Sequence, residues 1–342
     1  NVQTALDAAE IAARRDALLH RLGEALTLEN AQMRFAVSKQ TGSFLLYDLA
    51  TGVVWSSGVQ TNGVGTASYQ HGDQQHTLVL TAPDAAELEN GKIHLNWTRS
   101  CGTFDVYFEQ LPDGSGISAS YTAAPADGWT LTSVTPLDHA LWTLDTENGY
   151  AAVPESIGKL YYADGSEQFN KVYQTYGNYS MAFAGAVKDG SAMLIEWTDP
   201  DTALNVHHSR IDSPYAGGSD QLSFSLSMTQ HSGAFQMRVL GKGGYVQIAK
   251  AYRAAASARG LVRTFAQKAQ ENPGVTKLYG AATAKPDTMI RSRGSAGYTS
   301  HTFAELSQVA QHWNDVLGFD RALMTLGGWI RMGFDNQYPD IL

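Results

Sequence analysis

The residues best suited to chemistry lie near the end of the sequence, after a short apolar run. The run Arg321–Leu326 is typical of a buried strand, and Gly327 and Gly328 end it. An aromatic ring, a cation, carboxylates and amides follow within a few positions: Trp329, Arg331, Asp335, Asn336, Gln337, Tyr338 and Asp340. Such a set suits a sugar pocket, because aromatic rings stack on sugar C–H faces while carboxylates and amides bind hydroxyls. The alternative is a polar surface loop with one core tryptophan.

Five residues are the predicted substrate contacts. Trp329 is predicted to stack on a sugar ring and Asp335 to bind its hydroxyls, with Asn336 and Asp340 as further contacts. Lys285 follows the preceding predicted strand and completes the set. Glycoside cleavage requires two carboxylates about 5–10 Å apart. Asp335 and Asp340 share one loop, but the catalytic residues remain unassigned.

A strand, a helix and a second strand are predicted to position these side chains. Val275–Ala282 is predicted as a buried strand and Thr302–Leu317 as an amphipathic helix, followed by the strand Arg321–Leu326. The helix begins with a capping box that ends in Glu305, and Gly318 occupies its C′ position. A strand–helix–strand order predicts parallel pairing. Ligand residues of a (β/α)8 barrel sit at the C-terminal ends of such strands.

The chain before this unit is predicted to be an antiparallel β-sandwich, spanning residues 27–243. Its apolar residues alternate with period two, and turns rich in Gly, Asp, Asn and Pro separate short strands. The predicted strands are Met33–Val37, Phe44–Tyr47, Val53–Trp55, His76–Leu80, Lys92–Trp97, Thr103–Leu111, Gly116–Ala123, Trp129–Pro136, Ala182–Val187, Ala192–Trp197 and Gln221–Gln230.

Helical segments flank the predicted sandwich. Thr4–Leu26 reads as a helix with a narrow, alanine-rich apolar stripe that packs on something larger. Residues 244–274 read as a helical linker that Gly260 interrupts and Pro273 and Gly274 close. The expected organisation is therefore an N-terminal helix (1–26), a sandwich (27–243), a helical linker (244–274) and the first βαβ unit of an α/β domain (275–342).

Composition excludes several functional classes. The 342 residues carry a formal net charge of −9, which argues against nucleic acid as a partner. No apolar run reaches the roughly 18 residues that span a membrane. The chain begins with Asn1, which a cleaved export signal or cloning would explain, and a secreted or periplasmic location is favoured over the cytoplasm.

Neither metal nor cofactor chemistry is predicted. Cys101 is the one cysteine, so no internal disulfide or cysteine metal site is possible, and a half-buried strand residue is expected. His207 and His208 form the one adjacent histidine pair, but neighbours on a strand point to opposite faces. Glu196 and Trp197 read as structural, and Asp199–Asp201 reads as a turn.

The order of these segments resembles a group of bacterial glycoside hydrolases related to endo-α-N-acetylgalactosaminidases, with a galactose-mutarotase-like β-supersandwich before a (β/α)8 barrel. Residues 28–57, 150–166, 181–206, 245–262 and 327–340 carry the resemblance. It implies a glycosidase that acts on an oligosaccharide or glycoconjugate by a retaining, two-carboxylate mechanism. The carboxylates of that group usually sit on later barrel strands, so none is carried over to this sequence.

A closed barrel needs eight strands and about 250 residues. Residues 275–342 supply far fewer, so the expectation is an incomplete barrel. The remaining strands would come from a further segment of the same gene product or from a second polypeptide. A non-catalytic carbohydrate-binding or structural β-sandwich protein is the alternative function.

Overall fold

The computed structural model describes residues 8–58, 63–165, 167–174, 179–215, 217–290 and 297–329. The chain divides into two compact units at the junction between Ala256 and Ser257. The first unit contains the three larger β-sheets, and the second contains the parallel strand pair.

The first unit opens with helix α1 (Ala8–Leu22) and closes with helix α2, which extends to Ala258 (Tyr245–Ala258). Between them lie nineteen strands in the described residues: β1 (Ala25–Glu29), β2 (Met33–Ser38), β3 (Phe44–Asp48), β4 (Val54–Ser56), β5 (Thr66–His71), β6 (Gln74–Val79), β7 (Ala85–Glu89), β8 (Lys92–Arg99), β9 (Gly102–Gln110), β10 (Gly116–Pro125), β11 (Thr130–Leu144), β12 (Tyr150–Val153), β13 (Lys159–Tyr162), β14 (Phe169–Tyr173), β15 (Phe183–Lys188), β16 (Ser191–Trp197), β17 (Ala203–Asp212), β18 (Gly218–Met228) and β19 (Ser232–Lys242).

These strands form three sheets in the described part of the chain. Strands β1–β4 form a meander. The larger sheet has the order β13-β12-β15-β16-β19-β10-β9-β8-β7, and the smaller sheet has the order β14-β17-β18-β11-β5-β6. Their strand pairs are antiparallel, which confirms the β-rich, antiparallel prediction.

One hydrophobic core joins the three sheets. Trp55 of the meander, Trp97 of the larger sheet and Phe224 of the smaller sheet are all fully buried within it. Burying a side chain the size of phenylalanine stabilises a fold by about 1.5–3 kcal/mol. The inward-facing positions of both sheets therefore hold the sandwich together, and the outward faces are left for polar side chains.

Helix α1 packs on the meander, as its narrow apolar stripe predicts. Leu18 and Leu22 are buried in a cluster that includes Tyr47 and Trp142. The predicted helix end at Leu26 is wrong, because Gly23 adopts a left-handed φ of +68° after Leu22. Leu26 instead lies in β1, opposite Val37 of β2.

A buried ionic cluster of Arg14, Glu147 and Lys188 also holds α1 in place. The ammonium of Lys188 donates to the Val54 carbonyl at 2.9 Å and lies 3.8 Å from Glu147 and 4.1 Å from the Trp142 ring centroid. Arg14 of α1 lies 3.4 Å from the same Glu147 carboxylate. Burial lowers the pKa of Lys188, so the Glu147 carboxylate is needed to keep its charge.

Three further residues with a predicted role lie in the first unit. Glu196 is buried and pairs with Arg238 at 2.9 Å, which confirms a structural role. The turn at Asp199 is confirmed, since its carboxylate accepts from the Asp201 amide at 3.0 Å. Cys101 is more buried than predicted and lies in the turn between β8 and β9 rather than on a strand.

The second unit contains helix α3 (Phe265–Glu271), a 3-10 helix (Pro273–Leu278) and helix α4 (Phe303–Asp315). Its strands are β20 (Ala282–Ala284), β21 (Met289–Ile290), β22 (Tyr298–Thr299) and β23 (Ala322–Met324). Strands β20 and β23 pair in parallel, as a strand–helix–strand order predicts. Among the described residues these strands do not close into a barrel.

The predicted strand Val275–Ala282 is wrong over most of its length. Pro273 stands in the first turn of the 3-10 helix, and the Asn272 side chain caps it by accepting from the Gly274 amide at 3.0 Å. This local capping overrides the apolar run that suggested a strand. The capping box of α4 is confirmed, because Thr302 and Glu305 bond to each other's backbone amides.

Candidate functional site

The candidate site lies where the parallel strands β20 and β23 end. Backbone pairing continues past both strands: the Thr325 amide donates to Ala284 at 3.0 Å, and the Gly327 amide to Pro286 at 2.9 Å. The Thr288 amide then donates to Gly327 at 2.8 Å. The segments 285–290 and 325–329 therefore run side by side, as expected at the C-terminal edge of a parallel sheet.

Two residues fix how closely these segments approach. Thr288 is buried, and its hydroxyl donates to the Gly327 carbonyl at 3.1 Å. Gly328 has a φ of +62°, and a Cβ added there would lie 2.2 Å from the Met289 carbonyl oxygen. The glycine pair that marks the strand end in the sequence therefore permits a close backbone contact that no other residue would allow.

A third segment, residues 298–303, joins the site through Thr288. The Ser300 amide donates to the Thr288 carbonyl at 2.8 Å, and His301 Nδ1 lies 3.1 Å from the Asp287 carbonyl. Next in the chain, the backbone amide of Thr302 holds the pKa of the Glu305 carboxyl below its usual value. Helix α4 is thereby anchored with its N-terminus at this edge of the sheet.

A cavity of about 350 Å³ opens in the second unit at these segments. Its lining combines hydroxyl, imidazole and apolar groups: Thr288, Met289, Thr299, His301, Thr302 and Phe303. Small-ligand sites are commonly of this size and mixture, with a few polar groups among apolar ones. Hydroxyls and imidazole can bind sugar hydroxyls, and the exposed Phe303 ring can pack on an apolar sugar face.

The structure brings two predicted contacts to this edge. Lys285 is exposed and follows β20 directly, while Trp329 is partly buried and lies on the paired segment after β23. Asp335, Asn336 and Asp340 lie outside the described residues, so their roles remain predictions.

Sequence reasoning missed Thr288 and His301. Both follow the true end of β20, at Ala284, and placing that strand at Ala282–Ala284 would have drawn attention to them. The described segments of the site contain one carboxylate, that of Asp287, and Glu305 just beyond them is engaged as the helix cap. No catalytic carboxylate pair is thereby assigned. The described residues also contain no group of three or more His, Cys, Asp or Glu side chains that could hold a metal ion.

Comparisons with known proteins show the fold. No protein-family model matches the sequence, and the search of curated proteins finds no match. The fold is similar to that of the α-N-acetylgalactosaminidase NagBb from Bifidobacterium bifidum in its GalNAc complex, with a TM-score of 0.71 and 14% identity over 93% of this chain. The ligand-free form of that enzyme gives a TM-score of 0.68 and 15% identity over the same share. The chain spans about half, 54%, of the length of both structures.

Proposed function

We propose that this chain carries the β-sandwich and the opening strands of the catalytic barrel of a glycoside hydrolase, which cleaves a glycosidic bond in an oligosaccharide or glycoconjugate. The supporting observation is the shared fold, which covers 93% of the chain. That share exceeds the first unit, which ends at residue 256 of 342, so the likeness extends into the second unit.

The proposed reaction is retaining hydrolysis by two carboxylates. The described strand-end segments contain one carboxylate, that of Asp287, and the alignment covers 54% of the similar structure. We therefore place the catalytic carboxylates on later barrel strands, beyond Leu342. The residues of this chain would bind and orient the sugar. This orientation lowers the activation barrier because it holds the glycosidic bond in place between those carboxylates.

Each strand-end residue has a proposed task. Trp329 stacks on a sugar ring, while Lys285 and His301 bind hydroxyls at the edge of the sheet. Thr288 holds the segments 285–290 and 325–329 together through Gly327. Asp335, Asn336 and Asp340 are proposed as further hydroxyl ligands.

Steady-state kinetics on the complete polypeptide tests these tasks. With a nitrophenyl glycoside as substrate, Trp329→Ala should raise KM by about tenfold, since the contact with the sugar ring is lost. Asp335→Ala should also raise KM. Tyr279→Ala is the matched control, because Tyr279 is an exposed aromatic residue of the same unit that lies before β20. Unchanged kinetics with a lowered melting temperature in both site variants would contradict the binding roles.

A non-catalytic carbohydrate-binding protein is the second candidate function. The described strand-end segments favour it in one respect: they supply hydroxyl, imidazole and aromatic groups without an assigned carboxylate pair. Sugar binding without hydrolysis by the complete polypeptide would support this function over the first.

A further inference from the structure

An irregular strand in the smaller sheet aims polar side chains at its outer face. Strand β11 uses three residues for every two of β18, and a bulge therefore separates each successive pair: Val134 with Met228, Leu137 with Leu226, Ala140 with Phe224 and Thr143 with Leu222. His139 and Leu141 have left-handed φ values of +46° and +53°. Bulges re-aim side chains, and strained backbone conformations are found most often at functional sites.

The bulge between Leu137 and Ala140 contains Asp138 and His139, which meet side chains of β17 and β18. The His139 ring stacks on His207 with centroids 3.9 Å apart. Ser225 lies at the centre: its hydroxyl donates to Asp138 Oδ1 at 2.8 Å, accepts from the His139 amide at 2.9 Å, and lies 2.9 Å from His207 Nε2.

These contacts determine the tautomer of His207. A carboxylate accepts and does not donate, so Ser225 must give its only hydroxyl proton to Asp138. His207 Nε2 must then carry a proton and donate it to Ser225, which leaves Nδ1 as an acceptor. Ser225 thereby uses its donor and both lone pairs, so it is a positioning residue and not a nucleophile.

The His207 ring is the one member of this cluster whose charge state can be assigned from its surroundings. Burial, followed by the neighbouring His139, lowers the pKa of His207 to about 4, so the ring is neutral at physiological pH. His208, the next residue, points into the sandwich, where its ring nitrogens lie 2.6 Å and 3.0 Å from backbone carbonyls. The predicted opposite orientation of the two histidines is confirmed.

The same face holds a buried hydroxyl with its hydrogen-bonding capacity unused. Ser223 lies directly across from His207 in the β17–β18 pair and is fully buried, and its hydroxyl has no hydrogen-bond partner among the described residues. Asn205, across from Ser225, bonds to Ser227 at 3.3 Å. An unpaired buried hydroxyl is unfavourable, and a ligand hydroxyl that displaces the groups covering Ser223 would satisfy it.

We propose that the imidazole site, formed by Asp138, His139, His207, Ser223 and Ser225, binds an uncharged polyhydroxylated ligand, such as one saccharide unit of a glycan. Its groups offer a carboxylate, a neutral imidazole acceptor and a hydroxyl, the partners that sugar hydroxyls require. The site contains no Lys or Arg side chain, so an anionic ligand is disfavoured by Asp138. The site lies wholly within the first unit and does not depend on the proposed hydrolysis.

Histidine-ring NMR of the ¹⁵N-labelled protein tests the proposal, with galactose, glucose and N-acetylgalactosamine as probes. The His139 and His207 ring signals should shift saturably with at least one sugar, and His207 should show the Nε2–H tautomer. Asp138→Asn should weaken this binding by about tenfold, since a hydrogen bond to a charged group is lost. His207→Gln should also weaken sugar binding. If His207→Gln does not fold, the result for Asp138→Asn alone tests the proposal.

Two controls make the result specific. Ser68→Ala changes the outer face of the same sheet on β5, where Ser68 bonds to Thr77, and it should leave binding unchanged. Trp329→Ala should also leave it unchanged, which separates this site from the strand-end site. Ring signals that do not shift with any probe, or shifts that persist undiminished in Asp138→Asn, would overturn the proposal. So would shifts that disappear in Trp329→Ala.

Discussion

Acidification should destabilise the sandwich through His207. The folded ring has a pKa of about 4, against 6.5 for an ordinary histidine. In the window between these values the unfolded chain binds a proton that the folded ring does not, so stability falls as pH drops. Between about pH 7.5 and about pH 5 this proton uptake lowers the free energy of unfolding by about 2 kcal/mol. Solvent screening of the partly exposed ring reduces the loss to about 1–2 kcal/mol.

Urea unfolding at these two pH values, with tryptophan fluorescence as the readout, measures this loss of stability. His207→Gln is the informative variant, because its amide can still donate to Ser225 but cannot titrate. The wild-type protein should lose about 1–2 kcal/mol more than this variant on acidification. His231→Gln, at an exposed position between β18 and β19, is the control for removing an imidazole as such. An equal acid loss in wild type and His207→Gln would refute the reasoning.

Three further predictions concern packing and caps. Lys188→Met should cost about 3 kcal/mol in urea unfolding because it removes one of the two cations that face the buried Glu147 carboxylate, and a loss below about 1 kcal/mol would contradict that cluster. Gly328→Ala should speed hydrogen exchange across the paired strand-end segments, since its Cβ would meet the Met289 carbonyl; unchanged exchange would be inconsistent with the close approach. Thr302→Ala should lower the exchange protection of α4 by about 1 kcal/mol through loss of the cap, whereas Thr302→Ser should keep it.

Local patterns predicted the elements whose signals lie within a few residues. The meander follows from period-two alternation with glycine turns, and β2, β3 and β4 appear close to their predicted positions. The capping box of α4 is likewise a signal of four consecutive residues. Short strands such as β12, of sequence YAAV, lack the β-branched alternation that marks a strand. Pairing with β13 on one side and β15 on the other stabilises β12, and the local sequence does not reveal this pairing.

Local capping explains one failed prediction, and long-range geometry explains the site that the sequence did not reveal. The apolar run from Val275 became a 3-10 helix because Pro273 and Asn272 favour a capped turn. The imidazole site depends on bulges in β11 that bring Asp138 beside His207, far away in the chain. A bulge leaves no simple pattern in the sequence, since it depends on the pairing with β18.

The proposed function is hydrolysis of a glycosidic bond, with retention of configuration, by the complete polypeptide. Its most direct test is ¹H NMR of the anomeric proton during digestion of a panel of α- and β-linked nitrophenyl glycosides, including the N-acetylgalactosaminides. We expect release of one sugar whose first-formed anomer has the configuration of the substrate. A folded complete polypeptide that binds sugar yet releases no sugar from any member of the panel, or releases the inverted anomer, would contradict it.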